Sequence, residues 1–248
     1  MSHQRRLHTL LTSILIGLVI TVATPLDVNA VDLDIDALSQ AEFKNLSEEA
    51  GLAISYVAAA PAEQLGFPHF DVGVEATATT IDSDASYWQN AFSGDPPDFL
   101  VVPKLRARMG LPFGVDVGAV YSTIPYIKVS MIGGEVKWAL LRGGVTMPAV
   151  AIRGSYTTLL GVDELKLSTY SADLSISKGI TIFTPYAGVG QIWITAEDES
   201  PAPNLNSERH SKTRGFVGLQ IGIPLVRFVM EAAFSTVQSY TARLSVDL

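Results

Sequence analysis

Past residue 30 the chain has two histidines, His69 and His210, and no cysteine. Acid–base or nucleophilic chemistry therefore has few candidate carriers. His210 lies in a polar stretch with Asn206, Ser207, Glu208 and Ser211, which reads as an outer loop; a hydrolase would need a pair of this kind near a membrane surface. A serine near a histidine in such a stretch is also ordinary loop composition, and His69 stands alone at the foot of a strand. The acid pairs Asp82/Asp84 and Glu197/Asp198 read as solvated loop charge, because a designed calcium site needs more ligands in a fixed order. The sequence offers no Cys/His ligand spacing and no phosphate-cradling loop, and Gly188 and Gly190 read as strand glycines. No catalytic residue, metal ligand or cofactor is assigned.

The larger set of reactive groups is ionic. Lys104, Arg106, Arg108, Lys137, Arg153, Arg214, Arg227 and Arg243 fall on the polar side of alternating segments. Asp71, Glu75, Asp116, Glu135, Asp173, Glu231 and Asp247 share that side. An unpaired buried charge costs several kcal/mol, so comparable numbers of opposite charges facing one interior should pair into a network. The expectation is a lumen charge network of these fifteen residues, structural rather than conducting.

Ten segments place them: 70–81, 100–109, 114–122, 127–140, 145–156, 165–176, 184–195, 213–221, 226–234 and 240–248. In the clearest of them apolar residues repeat every second position, as in Val72, Val74, Ala76 and Ala78 or Phe228, Met230, Ala232 and Phe234. Two segments change phase, near Gly133-Gly134 and between Leu167 and Tyr170, and each change reads as a bulge. The connections alternate, with the long polar ones (82–99 and 196–212) on one side and short Gly- or Pro-bearing turns on the other. Aromatics near strand ends (Tyr121, Tyr126, Trp138, Tyr156, Trp193, Phe234, Tyr240) suit an interfacial girdle. The pattern predicts an all-β fold: an antiparallel transmembrane up-and-down barrel of about ten strands, eight or twelve being compatible, with both ends periplasmic.

Residues 1–30 read as a secretory signal. Arg5 and Arg6 precede an apolar run from Leu10 to Val22, and Val28-Asn29-Ala30 offers small residues for cleavage after Ala30. Residues 31–66 read as a periplasmic segment and possible plug: a helix, Asp36 to Ala50, either solvated or tucked under or into the barrel mouth, followed by an extended piece. Leu38, Ala41, Phe43 and Leu46 lie near one helix face, and Gly51 stands as the stop. Residues 67–248 form the barrel. Without residues 1–30 the chain carries 15 basic and 24 acidic residues, a balance that argues against nucleic acid or an anionic lipid surface as main partner. Mean hydropathy is +0.28, high for an exported chain lacking an apolar helix past residue 30, and strands facing lipid reconcile the two.

Tyr240, Leu244, Val246 and Leu248 resemble the C-terminal assembly signal of outer-membrane proteins, although Leu248 replaces the usual terminal aromatic. With APAEQLGFPHFDVGVEATAT and PYAGVGQIW (185–193), the chain resembles uncharacterised outer-membrane β-barrel families of proteobacteria. That resemblance implies a Gram-negative outer-membrane location, lipid and the barrel-assembly machinery as partners, and no established activity. The leading expectation is a structural or loop-mediated role with a largely filled lumen. The alternatives are a narrow channel for small or apolar solutes gated by the helix, an outer-membrane hydrolase, and a soluble periplasmic β-sandwich or lipocalin-like binder.

Overall fold

The computed structural model describes residues 35, 38–92, 95–124, 129–161, 164–200 and 204–248; the expected signal segment and Tyr126 lie outside these. Among the described residues no helix is long and apolar enough to cross a membrane. Ten antiparallel strands instead close into one barrel. They are β1 Phe70–Thr80, β2 Phe99–Gly110, β3 Val115–Ile124, β4 Val129–Arg142, β5 Ala149–Leu160, β6 Leu165–Ser177, β7 Phe183–Asp198, β8 Glu208–Ile223, β9 Val226–Phe234 and β10 Gln238–Asp247. Each strand pairs with its sequence neighbours, and β1 closes the ring on β10 from Asp71↔Asp247 to Thr79↔Ser239.

Polarity is inverted relative to a soluble protein. Val136, Ile152, Leu174, Val189 and Val217 point outward, each more than 40% exposed, whereas Asp71, Glu75, Lys104, Arg106 and Arg243 are at most 3% exposed. Burial of one such aliphatic side chain is worth about 1.5–3 kcal/mol. A continuous apolar belt is therefore stable against lipid and not against water, so this is a transmembrane barrel and not a sandwich or a lipocalin-like cup. Tyr156, Tyr170 and Trp193 stand side by side across β5, β6 and β7 on the outer face, and the two tyrosine rings are 4.7 Å apart.

The phase changes in β4 and β6 are not bulges. Odd positions face inward without a slip from Val129 through Ala139 and from Leu165 through Ser177. Only the chemistry of the inward face changes: Val129, Met131, Leu165 and Leu167 are buried at the long-loop end, where the lumen is apolar. The one register shift in β4 lies between Ala139 and Leu141. Two other boundaries differ from expectation. β5 starts at Ala149 because Pro148 has no ladder donor and the carbonyls of Gly144, Val145 and Met147 instead accept from Lys178 Nζ. β8 starts at Glu208, five residues before its expected start, because β7 runs on to Asp198 and pairs with it up to Ala196↔Glu208.

The apolar layer exists to receive helix α1, Gln40–Ile54. Ser39 and Glu42 form a reciprocal capping box at its start. Phe43, Leu46 and Leu52 turn into the lumen against Ile192, Ile194 and Leu167, while Ala41 is exposed. The helix continues through Gly51 to Ile54, so this glycine is no stop. Its bare backbone is what lets α1 lie on β7, since a Cβ there would collide with Ile194. We expect Gly51→Ala to destabilise the protein by about 1–2 kcal/mol, overpacking outweighing the gain in helix propensity, seen as a lower urea midpoint.

The sequence leaves the helix either solvated on the periplasmic side or tucked under or into the barrel mouth; it lies in a mouth, the one among the long loops, opposite the short turns. Glu49 accepts from Trp88 Nε1 at 2.6 Å and Tyr87 Oη at 3.0 Å, both on α2, Ser86–Ala91, within the loop after β1. Gln40 Nε2 donates to Asn206 O at 3.0 Å in the loop before β8. Because β1 begins at the short-turn end, residues 55–69 must cross the lumen to reach it. The two ends of the described chain thus lie at opposite mouths, not on one side.

Candidate functional site

Fourteen of the fifteen predicted lumen residues meet an opposite charge. Around Glu75, Lys104 Nζ lies at 3.3 Å and Arg106 Nη2 at 2.8 Å. Asp71 takes Arg108 Nε at 3.3 Å and Arg243 Nη1 at 3.0 Å. Glu135 lies 3.2 Å from Arg153 Nε and 3.7 Å from Arg106 Nη1. Lys137 meets Asp116 at 3.0 Å and Arg214 meets Asp173 at 3.1 Å. Arg227 and Asp247 pair at the short-turn rim, where both are partly exposed. The register explains several of these, since Glu75↔Arg243, Glu75↔Lys104, Asp116↔Lys137 and Arg153↔Asp173 are direct neighbours across strands.

Glu231 is the exception: its carboxylate accepts from Tyr186 Oη and from the backbone N–H of Ala59, both at 2.8 Å. Tyr186 reaches it by lying flat over Gly218, where any Cβ would collide with the ring.

The bond from Ala59 reveals what the alternation could not. Residues 55–65 run as a strap down the lumen, and the wall holds their main chain. Arg214 Nη1 donates to Tyr56 O at 2.8 Å and Arg106 Nη2 to Val57 O at 3.0 Å. Lys137 Nζ donates to Pro61 O at 3.1 Å and Glu63 O at 2.7 Å, and Asp116 accepts from Leu65 N–H at 3.1 Å. The charges therefore have a third partner besides each other. Two signals pointed to it: the inward apolar patches misread as bulges, and the unalternating, small-residue run YVAAAPA at 56–62. A polar cavity of about 90 Å³ lies beside the strap's lower end, between Glu63, Gln64, Arg108 and Arg227. An apolar cavity of about 50 Å³ lies under α1, lined by Phe43, Trp88, Val102 and Leu167.

His210 is not in a loop. It is buried on the inner face of β8, with Nε2 2.9 Å from Ser47 Oγ and Nδ1 3.5 Å from Glu48 Oε2, both on α1. Ser211, its neighbour in sequence, points the other way and accepts from Gln191 Nε2 at 2.8 Å. Serine, histidine and carboxylate fall in the order a nucleophile would use. Yet Ser47 is 2% exposed and its hydroxyl donates to Lys44 O at 2.9 Å, while Glu48 also pairs with Lys212. Helix-interior amides around Ser47 are spent on the ladder and cannot hold an oxyanion. The trio pins α1 to β8.

The remaining candidates are also structural. His69 Nδ1 is 3.1 Å from Leu65 O at the strap's exit. Asp198 closes its loop by accepting from the amides of Ser200, Asn204 and Leu205 at 2.9, 3.1 and 3.2 Å. Glu197 pairs with Lys166 at 3.1 Å, and Asp82 N–H donates to Glu49 at 3.2 Å. Among the described residues no group of three or more potential ligands could hold a metal.

Glu42 ties the start of α1 to α2. The Ser39 backbone N–H, then the hydroxyls of Ser86 and Ser39, hold its carboxyl down at about 2, against an ordinary 4.5. A depressed carboxyl contributes stability above its unfolded value and loses it as pH falls toward the folded one. The α1–α2 contact should therefore loosen between pH 4.5 and about 2, visible as a change in Trp88 fluorescence that Glu42→Gln flattens.

No family profile and no curated protein matches the chain. Among solved structures, it is similar to the attachment invasion locus protein Ail of Yersinia pestis at 14% identity and TM-score 0.30, covering 73% of this chain and 97% of that one. The KdgM porin matches at 8% identity and TM-score 0.34, over 70% and 98% of the two chains. The translocator domain of the autotransporter NalP from Neisseria meningitidis matches at 8% identity and TM-score 0.37, over 73% and 88%.

Proposed function

We propose that this chain is an outer-membrane barrel closed by its own N-terminal insert, acting structurally or through its long-loop face and not as an open pore. The strap carries the reading: it occupies the lumen with its main chain bonded to the wall at six positions, 56, 57, 59, 61, 63 and 65. The apolar belt supports the membrane location, and long loops opposite tight turns support an outward-facing α1. Tyr240, Leu244 and Val246 present their side chains on the outer face of β10, where the barrel-assembly machinery would meet the proposed C-terminal signal.

Because the chain has no cysteine, single-cysteine labelling tests the orientation cleanly. Ser39→Cys should react with a membrane-impermeant maleimide on intact cells, and Lys178→Cys, in the turn between β6 and β7, only after the outer membrane is permeabilised. Unboiled protein should migrate faster than boiled protein in the membrane fraction. The reverse labelling, or a soluble protein without heat-dependent migration, would sink the reading.

A further inference from the structure

The wall groups that touch the strap share one property: they bind its backbone. Arg106, Arg214 and Lys137 donate to carbonyls, while Glu231 and Asp116 accept from amides. That mixture excludes the simpler ligands. An anion would be repelled by the two carboxylates, and an acyl chain has no acceptor for the guanidiniums. A peptide backbone supplies both kinds of group, alternately and along a line. The side chains between the contacts are small: Ala58, Ala59, Ala60 and Ala62 are all at most 1% exposed, leaving no room for larger ones. Three side chains are read: Tyr56, whose ring lies 4.6 Å from the Arg106 guanidinium carbon, Ser55, whose Oγ accepts from Arg214 Nη1 at 3.4 Å, and Glu63, whose Oε1 accepts from the Gly179 N–H at 3.1 Å. At Ala59 the backbone turns to a φ of 39°, a conformation alanine adopts at a cost, and its N–H there meets Glu231.

We propose that the lumen is a binding site for an extended polypeptide with small side chains, and that residues 55–65 occupy it as a built-in, exchangeable ligand. The proposal rests on the closed-lumen reading and adds that closure is by a class of ligand, not by one sequence. The strap is joined to β1 at the short-turn mouth, so within the chain its effective concentration is high and a competing peptide is disfavoured. Severing that joint turns the strap into an ordinary ligand.

The test uses the full chain with a protease site inserted between Gly66 and Phe67, an exposed stretch at that mouth. The protein is folded, checked by unboiled gel migration, and then cut. Excess synthetic peptide of residues 52–66 should displace the cut fragment. A peptide in which one small side chain replaces another, Ala58→Gly, Ala60→Ser and Ala62→Gly, with Ser55, Tyr56 and Glu63 kept, should do so within a few-fold of the same concentration. A peptide N-methylated at the Ala59 and Leu65 amides should be weaker by tenfold or more, each lost bond being one to a charged, buried partner. Failure of the small-residue variant, equal potency of the methylated one, or no displacement by any peptide would each overturn the proposal. Should the insertion block folding, an uncut chain with lactate in place of Ala59, an ester lacking only that N–H, should unfold at a lower temperature; an unchanged temperature overturns it. Whole-cell labelling and bilayer conductance report on closure and location independently of these peptide rankings.

Discussion

A variant lacking Gln40–Leu65 should conduct ions in planar bilayers in discrete steps, whereas the intact chain should not. Eight strands enclose an interior that side chains just fill, and diameter grows with strand number. Ten strands leave added width, and here one extended chain takes it. The ladder that closes the barrel from β1 to β10 does not involve the strap, so deletion removes the filling and not the wall. The emptied lumen would be lined by seven cations (Lys104, Arg106, Arg108, Lys137, Arg153, Arg214, Arg243) and six acids (Asp71, Glu75, Asp116, Glu135, Asp173, Glu231). With the strap, three of those cations lose carbonyl partners and two of the acids lose amide partners, and the lining keeps one cation in excess, so conduction should favour anions. Removing residues 40–50 alone leaves the strap's wall contacts intact and should open far less. Silence from the larger deletion, in protein that still shows heat-dependent migration, would refute closure by the strap.

Asp71→Ala should be the most damaging single substitution, at about 3–5 kcal/mol. Its carboxylate is fully buried and shared by Arg108, Arg243 and the Ser245 hydroxyl, which donates at 2.8 Å. Removing it leaves two buried guanidiniums facing each other across β1 without a counter-charge. Asp71→Asn keeps the shape and loses the charge, and should fall between. Arg227→Ala breaks a pair whose side chains are 28% and 23% exposed, where water screens the charges, so its cost should stay under about 1 kcal/mol. Urea unfolding in detergent micelles orders the three variants. A mild Asp71→Ala would show that the network is hydrated and loosely coupled.

The strands were readable because lipid imposes the same rule on every outward position, and period two survives even where the inward residues vary. Inward positions were harder, since they answer to local partners. Val129, Met131, Leu165 and Leu167 broke the apolar-out pattern, and without a helix to pack against the economical explanation was a bulge. His210 looked like a loop residue because Asn206, Ser207, Glu208 and Ser211 surround it; Glu208 and Ser211 belong instead to the polar end of β8, above the apolar belt. The ionic residues themselves were identified by parity alone. Their partners were not, because a carbonyl has no sequence signature: nothing in Val57 or Pro61 announces that its oxygen will be claimed by an arginine or a lysine.

The strap's enclosure also constrains the order in which the molecule can be built. A helix about 10 Å across, with side chains, does not slide through a lumen already walled by inward-pointing arginines. The insert must therefore lie against the open, curved sheet while β1 and β10 are still apart, and the seam from Asp71↔Asp247 to Thr79↔Ser239 zips shut around it last. The insert is thus enclosed as the seam closes and not threaded in afterwards.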